Sequence, residues 1–218
     1  MKKCIILANG QPPLKSTLNY LSKKGYSTLI CADGGANTAK KLNLLPDIII
    51  GDLDSITREV FNYYKNKSTI IKIDRQNDTD VEKCLKYVIK KKFKEAVLVG
   101  ATGGDRLDHS FCNLGIVLKY SPQIDITVIH QKSLLKSYTG NVILKTFPGE
   151  IISLYGINDR TKITSHGLKY RLKHLALPYG KKESTSNIAL ADKVELNIKN
   201  GNILVVREYE LMKKYDLI

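Results

Sequence analysis

The feature that most constrains this chain is a repeated unit in its first half: a short apolar run, a stop built from Asp, Asn or Gly, then an amphipathic stretch. The apolar runs at residues 3–8, 27–32, 46–50, 69–73, 96–99 and 124–129 are too short for helices and carry little alternation, which reads as strands buried on both faces. Between them, residues 16–24, 36–42, 56–64, 80–92 and 108–120 hold apolar side chains at helical spacing, as in Val81, Cys84, Leu85, Val88 and Ile89. Strand alternating with helix predicts a parallel sheet covered on both faces. Such sheets bind ligands beyond the carboxyl ends of their strands.

The pattern changes near residue 131. Short strand-like runs at 134–138, 141–147, 151–155, 162–164, 194–198 and 203–207 follow, punctuated by Gly140, Pro148-Gly149, Gly156 and Asn200-Gly201-Asn202, with no long amphipathic helix among them. This predicts two domains: an α/β domain over 1–131 and an all-β domain, sandwich or barrel, over 132–218. No apolar run approaches the roughly 20 residues that span a bilayer, and the first apolar run is too short for a signal peptide, so a cytoplasmic protein without a membrane partner is expected. The four cysteines lie far apart with no C-x-x-C pair, which argues against a zinc site or a disulfide framework.

Lys and Arg number 35 against 21 Asp and Glu, a net charge of +14. That excess raises a nucleic-acid-binding module as one reading, but the lysines are scattered without interleaved aromatics, and solvated faces explain them better. The acids are more informative. None occurs in residues 1–32, while twelve of the 21 lie between Asp33 and Asp108. Asp33-Gly34-Gly35, Gly51-Asp52-Leu53-Asp54-Ser55 and Asp74 sit at strand ends, and Asp78 and Asp80 open a helix. If the strand continues through Leu53, Asp52 and Asp54 point to one side, where two like charges favour a cation between them. The alternative is a turn and helix N-cap, the better reading for Ser55. Gly100-Ala101-Thr102-Gly103-Gly104, followed by Asp105, Arg106, Asp108 and His109, joins a strand to a helix and suits phosphate oxygens. It matches neither G-x-x-x-x-G-K-[ST] nor G-x-G-x-x-G. Carboxylates that hold Mg²⁺, with an anion loop beside them, indicate nucleotide-dependent phosphoryl or pyrophosphoryl transfer and leave the acceptor open. A nucleotide pyrophosphatase, with water as acceptor, is the enzyme alternative.

Taken in order, Ala32-Asp33-Gly34-Gly35-Ala36-Asn37, Pro46-Asp47, Gly51 to Ser55, Asn77-Asp78-Thr79-Asp80-Val81-Glu82-Lys83, the stretch from Gly100 through Asp108-His109 to Asn113-Leu114, Gly167-Leu168-Lys169-Tyr170 and Ser184-Thr185-Ser186-Asn187 resemble the thiamine pyrophosphokinase family. The resemblance implies a Rossmann-like parallel-sheet α/β domain, an all-β sandwich domain, and transfer of a pyrophosphoryl group from ATP to thiamine with Mg²⁺. It implies a homodimer; with the acids clustered at strand ends, no nucleic-acid partner is expected. By motif it assigns Asp52, Asp54, Asp80 and Asp108 to catalysis, the first three as metal ligands. It assigns Asp33, Gly34, Gln76, Thr79, Lys83, Thr102, Gly103 and Arg106 to the nucleotide, and Tyr170, Ser184, Ser186 and Asn187 to thiamine. The family usually reads Gly-Gly-Arg-x-Asp-His, whereas here Asp105 separates Gly104 from Arg106.

Overall fold

Six of the apolar runs in the first half become parallel strands, and the residues that stop them all lie at one end of the resulting sheet. The computed structural model describes residues 1–74 and 77–217. The chain separates into two units, Met1–Gln131 and Lys132–Ile218. In the first, β1 (Lys3–Leu7), β2 (Thr28–Ala32), β3 (Ile48–Gly51), β4 (Thr69–Lys72), β5 (Glu95–Val99) and β6 (Asp125–His130) alternate with α1 (Lys15–Lys23), α2 (Gly35–Lys41), α3 (Arg58–Tyr64), α4 (Asp80–Lys90) and α5 (Leu107–Tyr120). Every pair is parallel, in the order β4-β3-β2-β1-β5-β6. The chain thus lays down one half of the sheet outward from β1, then returns to β1's other edge. The order reverses at β1, which places the switch point at the carboxyl ends of β1 and β5.

Burial explains why these runs are strands. Ile5, Ile6 and Leu7 of β1, Ile49 and Ile50 of β3, and Val97, Leu98 and Val99 of β5 are all buried, as expected for a sheet covered on both faces. Helix α4 turns Val81, Cys84, Leu85 and Val88 inward and packs on β2 and β3. Its N-cap is Thr79, whose hydroxyl accepts the Glu82 N–H at 3.2 Å. Helix α3 is capped by Thr57, which accepts from Val60, and not by Asp54 or Ser55. Glu82 lies buried between α4 and α5, accepting from Tyr120 Oη and Lys119 Nζ, each at 2.6 Å.

The second unit contains β7 (Ser133–Lys145), β8 (Ile151–Gly156), β9 (Lys162–His166), β10 (Leu175–Ala176), β11 (Ser184–Ile188), β12 (Lys193–Glu208) and α6 (Tyr209–Lys214). Two pairs of runs that read as separate strands fuse here. Residues 134–138 and all but the last two of 141–147 belong to β7, and 194–198 and 203–207 both belong to β12. The turn signal at Asn200-Gly201-Asn202 becomes an irregularity: Ile198 faces Gly140 and Ile203 faces Tyr138, so the extra residues bulge out of one continued ladder. Before the bulge β12 pairs with β9, and after it with β8. Leu144, Ile152, Leu154, Ile163, Leu196 and Val205 are among the side chains of a single core. Helix α6 corrects the all-β expectation; at six residues it is too short to show a clear period, yet it buries Tyr209 and Met212. Strand β11 carries no strand signal in the sequence, because Ser-Thr-Ser-Asn lacks an apolar alternation. Arg207 and Glu150, both buried, form a two-point ion pair at 2.6 and 2.8 Å, and Arg207 also donates to the Lys145 carbonyl. Among the described residues no helix is long and apolar enough to cross a membrane.

Candidate active site

Three carboxylates converge at the carboxyl edge of the first unit's sheet. Asp33 follows β2, Asp52 follows β3 and Asp80 opens α4, and one oxygen from each lies within 4.8 Å of the others. Asp33 is 1% exposed and adopts a left-handed φ of 38°. Gly51 makes room for it, since a Cβ there would lie 2.6 Å from Asp33 Cβ, while one on Gly35 would lie 2.1 Å from the Leu7 carbonyl. The Asp33 carboxylate accepts the backbone N–H groups of Ser55 at 3.1 Å and Ile56 at 3.0 Å, pinning the loop after β3 to the end of β2. Burial pushes its pKa up to about 6; the amide hydrogen bonds oppose this, while the charge of Asp80 adds to it.

Asp52 behaves in the opposite way. Burial raises its pKa, but the hydrogen bond and charge of Lys83 outweigh this and hold the carboxyl below its ordinary value. Its Oδ2 lies 3.2 Å from Lys83 Nζ, while its Oδ1 is buried without a hydrogen-bond partner. Lys83 also reaches Asp80 Oδ1 at 2.9 Å. Three converging carboxylates with a buried, unpartnered oxygen among them fit a hard divalent cation such as Mg²⁺.

Asp54 is not one of the three. The extended conformation assumed for residues 52–54 fails: β3 ends at Gly51 and Leu53 takes a left-handed φ of 70°. Asp54 lies exposed with its Oδ1 accepting from Ser55 Oγ, yet its side chain still interacts with the carboxyls of Asp33 and Asp52. Asp108 is also outside the group. It sits exposed in the first turn of α5, gripped by Arg106 through two bonds of 2.9 and 2.6 Å, and that hydrogen-bonded guanidinium pulls its pKa to about 2.

A cavity of about 220 Å³ opens beside Asp80, lined in part by Asn9, Gly10, Gly34, Thr79, Gly103 and Arg106. The loops after β1 and β5 are laced together at its floor. Gly10 donates to the Gly100 carbonyl at 2.7 Å and Gln11 to the Thr102 carbonyl at 3.1 Å. A Cβ on Gly10 would sit 2.6 Å from the Gly100 oxygen, and Gly34 presses as closely on the Asn9 side chain. Two expected phosphate contacts are already engaged: the Gly103 N–H donates to Ser110 Oγ, and Thr102 Oγ1 lies 3.0 Å from His130 Nδ1. Gln76 lies outside the described residues. Asn9-Gly10 read only as a turn; its position after the first strand, at the point where strand order reverses, is the signal that marks it as a cavity wall.

In the second unit, Tyr170, Ser184, Ser186 and Asn187 are brought together around an irregularity in β11. Asn187 is 1% exposed and acts as a clamp. Its Oδ1 accepts from Tyr170 N–H, and its Nδ2 donates to the Tyr170 carbonyl and to Ser184 Oγ. Tyr170 itself is exposed. Ser186, at a left-handed φ of 53°, donates its N–H to Ser153 Oγ.

Comparison with known proteins matches residues 20–128 to the family model described as thiamin pyrophosphokinase, catalytic domain. Residues 141–203 match that described as thiamin pyrophosphokinase, vitamin B1 binding domain. Thiamine pyrophosphokinase 1 of Arabidopsis thaliana is 30% identical over 195 residues, covering 76% of this chain and 72% of that protein. Thiamin pyrophosphokinase 1 of Caenorhabditis elegans is 28% identical, covering 98% of this chain and 92% of that one. The crystal structure of yeast thiamin pyrophosphokinase superposes with a TM-score of 0.83 at 21% identity, covering 100% of this chain and 89% of that one, a likeness of fold.

Proposed function

The chain belongs to the thiamin pyrophosphokinase family, and on that premise we propose how its residues divide the work of ATP-dependent thiamine pyrophosphorylation. The observation that carries the reading is the convergence of Asp33, Asp52 and Asp80 beside the cavity at the reversal of strand order.

Asp52 and Asp80, with Asp33 behind them, would hold Mg²⁺. When bound, the ion supplies positive charge for phosphate oxygens that become more negative as the β-phosphorus changes partners. Asp33 contributes through position as well as charge, because its two oxygens fix the Ser55–Ile56 backbone and so the path of the loop bearing Asp52. ATP takes the cavity between the laced loops. Arg106 reaches phosphate only by giving up Asp108, an exchange between two exposed groups that costs little in water. The thiamine hydroxyl attacks the β-phosphorus in line, and AMP leaves; positioning and charge neutralisation carry the step.

The strand order supports a Rossmann-like description of the first unit. Sharing of β12 between β9 and β8 supports a sandwich for the second, which we take as the thiamine-binding domain. There, Asn187 would act by holding Tyr170, Ser184 and the Ser186 bend in place, leaving the exposed Tyr170 ring and serine hydroxyls to meet the vitamin. The homodimer rests on family resemblance, and light scattering of the purified chain tests it.

The deciding experiment incubates the protein with Mg²⁺, ATP and thiamine and separates the products by chromatography. AMP and thiamine diphosphate in equal amounts, neither appearing without Mg²⁺ or thiamine, are expected. Nucleotide breakdown that ignores thiamine would indicate a hydrolase instead.

A further inference from the structure

Lys83 is 3% exposed, although an ammonium is among the groups least often buried without a partner. It projects from the first turn of α4 onto two of the three converging carboxylates, 3.2 Å from Asp52 and 2.9 Å from Asp80. The resemblance assigns this lysine to the nucleotide, yet two of its three N–H donors are committed to carboxylates. Its position points to a different role. One buried ammonium offsets part of the negative charge that the converging carboxylates concentrate here.

The remaining oxygens agree with that role. Asp33 is hydrogen-bonded through both oxygens to backbone amides, Lys83 takes Asp52 Oδ2 and Asp80 Oδ1, and Asp52 Oδ1 is left buried without a hydrogen-bond partner. We propose that Lys83 is a resident counter-ion of the carboxylate trio: it holds Asp52 and Asp80 together in the absence of metal, and its charge limits the trio's attraction for divalent ions. Lys83 is thus a positioning residue, antagonistic to the metal it shares ligands with. This rests on the reading of the trio as a cation site.

The test uses the full chain without nucleotide and reads thermal melting and calorimetric binding of Mg²⁺ alone, with K⁺ at matched ionic strength as control. Lys83→Met removes the charge but keeps most of the stem, and Lys83→Gln also keeps a donor. Both variants should melt below the parent without Mg²⁺, recover most of the difference in Mg²⁺, and bind Mg²⁺ about tenfold tighter, equivalent to about 1.4 kcal/mol. A variant that folds only when Mg²⁺ is present gives the same answer. Equal Mg²⁺ responses in parent and variants, or weaker binding by the variants, would overturn the proposal. So would a Lys83→Gln protein that matches the parent, since a donor without charge would then suffice. Failure of both variants to fold at any Mg²⁺ concentration also counts against it, because the ion should replace the missing charge. If Mg²⁺ moves neither parent nor variants, the trio is not a cation site and the underlying reading falls; Asp52→Asn, which should abolish the Mg²⁺ response, checks that step separately.

Discussion

Asp33, Asp52 and Asp80 have the same side chain and sit within one small cluster, yet their surroundings give them different work. Asp33 is satisfied by backbone amides and orders a loop; Asp52 keeps one oxygen unused next to a buried lysine. Asp52→Asn should lower the melting temperature modestly, since Asp80 alone is left to pair the buried Lys83, while lowering kcat by about 10²-fold or more, the several kcal/mol at stake when a metal-bound charge is lost. Steady-state kinetics and a melting curve on the same preparation check both halves. At this scale the sequence was informative about residue type but not about grouping. Asp52 and Asp80 were legible as strand-end and helix-start acids. Asp33 was legible as a strand-end acid too, but the placing of Asp54 was not, because it depends on Leu53 turning left-handed, and an Asp-Leu-Asp stretch reads equally as strand or turn. Gly35 makes the reverse point. Its need for glycine comes from the Leu7 carbonyl at the end of β1, so Gly35→Ala at the start of α2 should cost about 3 kcal/mol in chemical denaturation through overpacking against backbone.

Among elements, α4 links chemistry to scaffold. Its first turn supplies Asp80 and Lys83 to the cluster, and the same turn sends Glu82 across to Lys119 and Tyr120 of α5. Burial raises the Glu82 pKa, but the hydrogen bonds from Lys119 and Tyr120 outweigh it and hold the group below its ordinary 4.5. A carboxylate whose pKa is lower folded than unfolded stabilises the fold above the ordinary value, and that contribution fades as pH falls through the folded one. Glu82→Gln should thus cost about 1–2 kcal/mol near neutral pH, with Lys119's share reduced by its exposure, and the gap from the parent should narrow below about pH 4. Urea titrations across that range measure it. The helices of the first unit were readable because each packs one apolar face against the sheet, and its strands because they are buried on both faces, so pattern and burial coincide. Thr79 was legible as the residue before a helix, but its part as cap to Glu82 emerges only when α4's start is fixed.

Across the whole molecule, the two units differ in how far local pattern determines them. In the second, turn residues inside β7 and β12 were overruled by partners far along the chain, since β12 has β7 along one edge and β9, then β8, along the other. Long-range pairing of that sort leaves no local trace. Its stability is correspondingly tied to distant contacts such as Arg207–Glu150, 57 residues apart and almost fully buried. Arg207→Leu should cost about 3–5 kcal/mol by stranding the Glu150 charge. The Arg207→Leu/Glu150→Leu double variant should recover enough to show a coupling of about 2 kcal/mol in denaturant unfolding.

The lacing of Gly10 to Gly100 and of Gln11 to Thr102 has a consequence for anyone who would transplant the cavity. The loops after β1 and β5 are some ninety residues apart in the chain, but each is shaped by the other's carbonyls, down to the absence of a single methyl group. A graft that carries over 100–106 while leaving 8–12 from the recipient would bring only half of a lock. The smallest portable piece of this enzyme is therefore not a loop but a seam, and the two must be exchanged together.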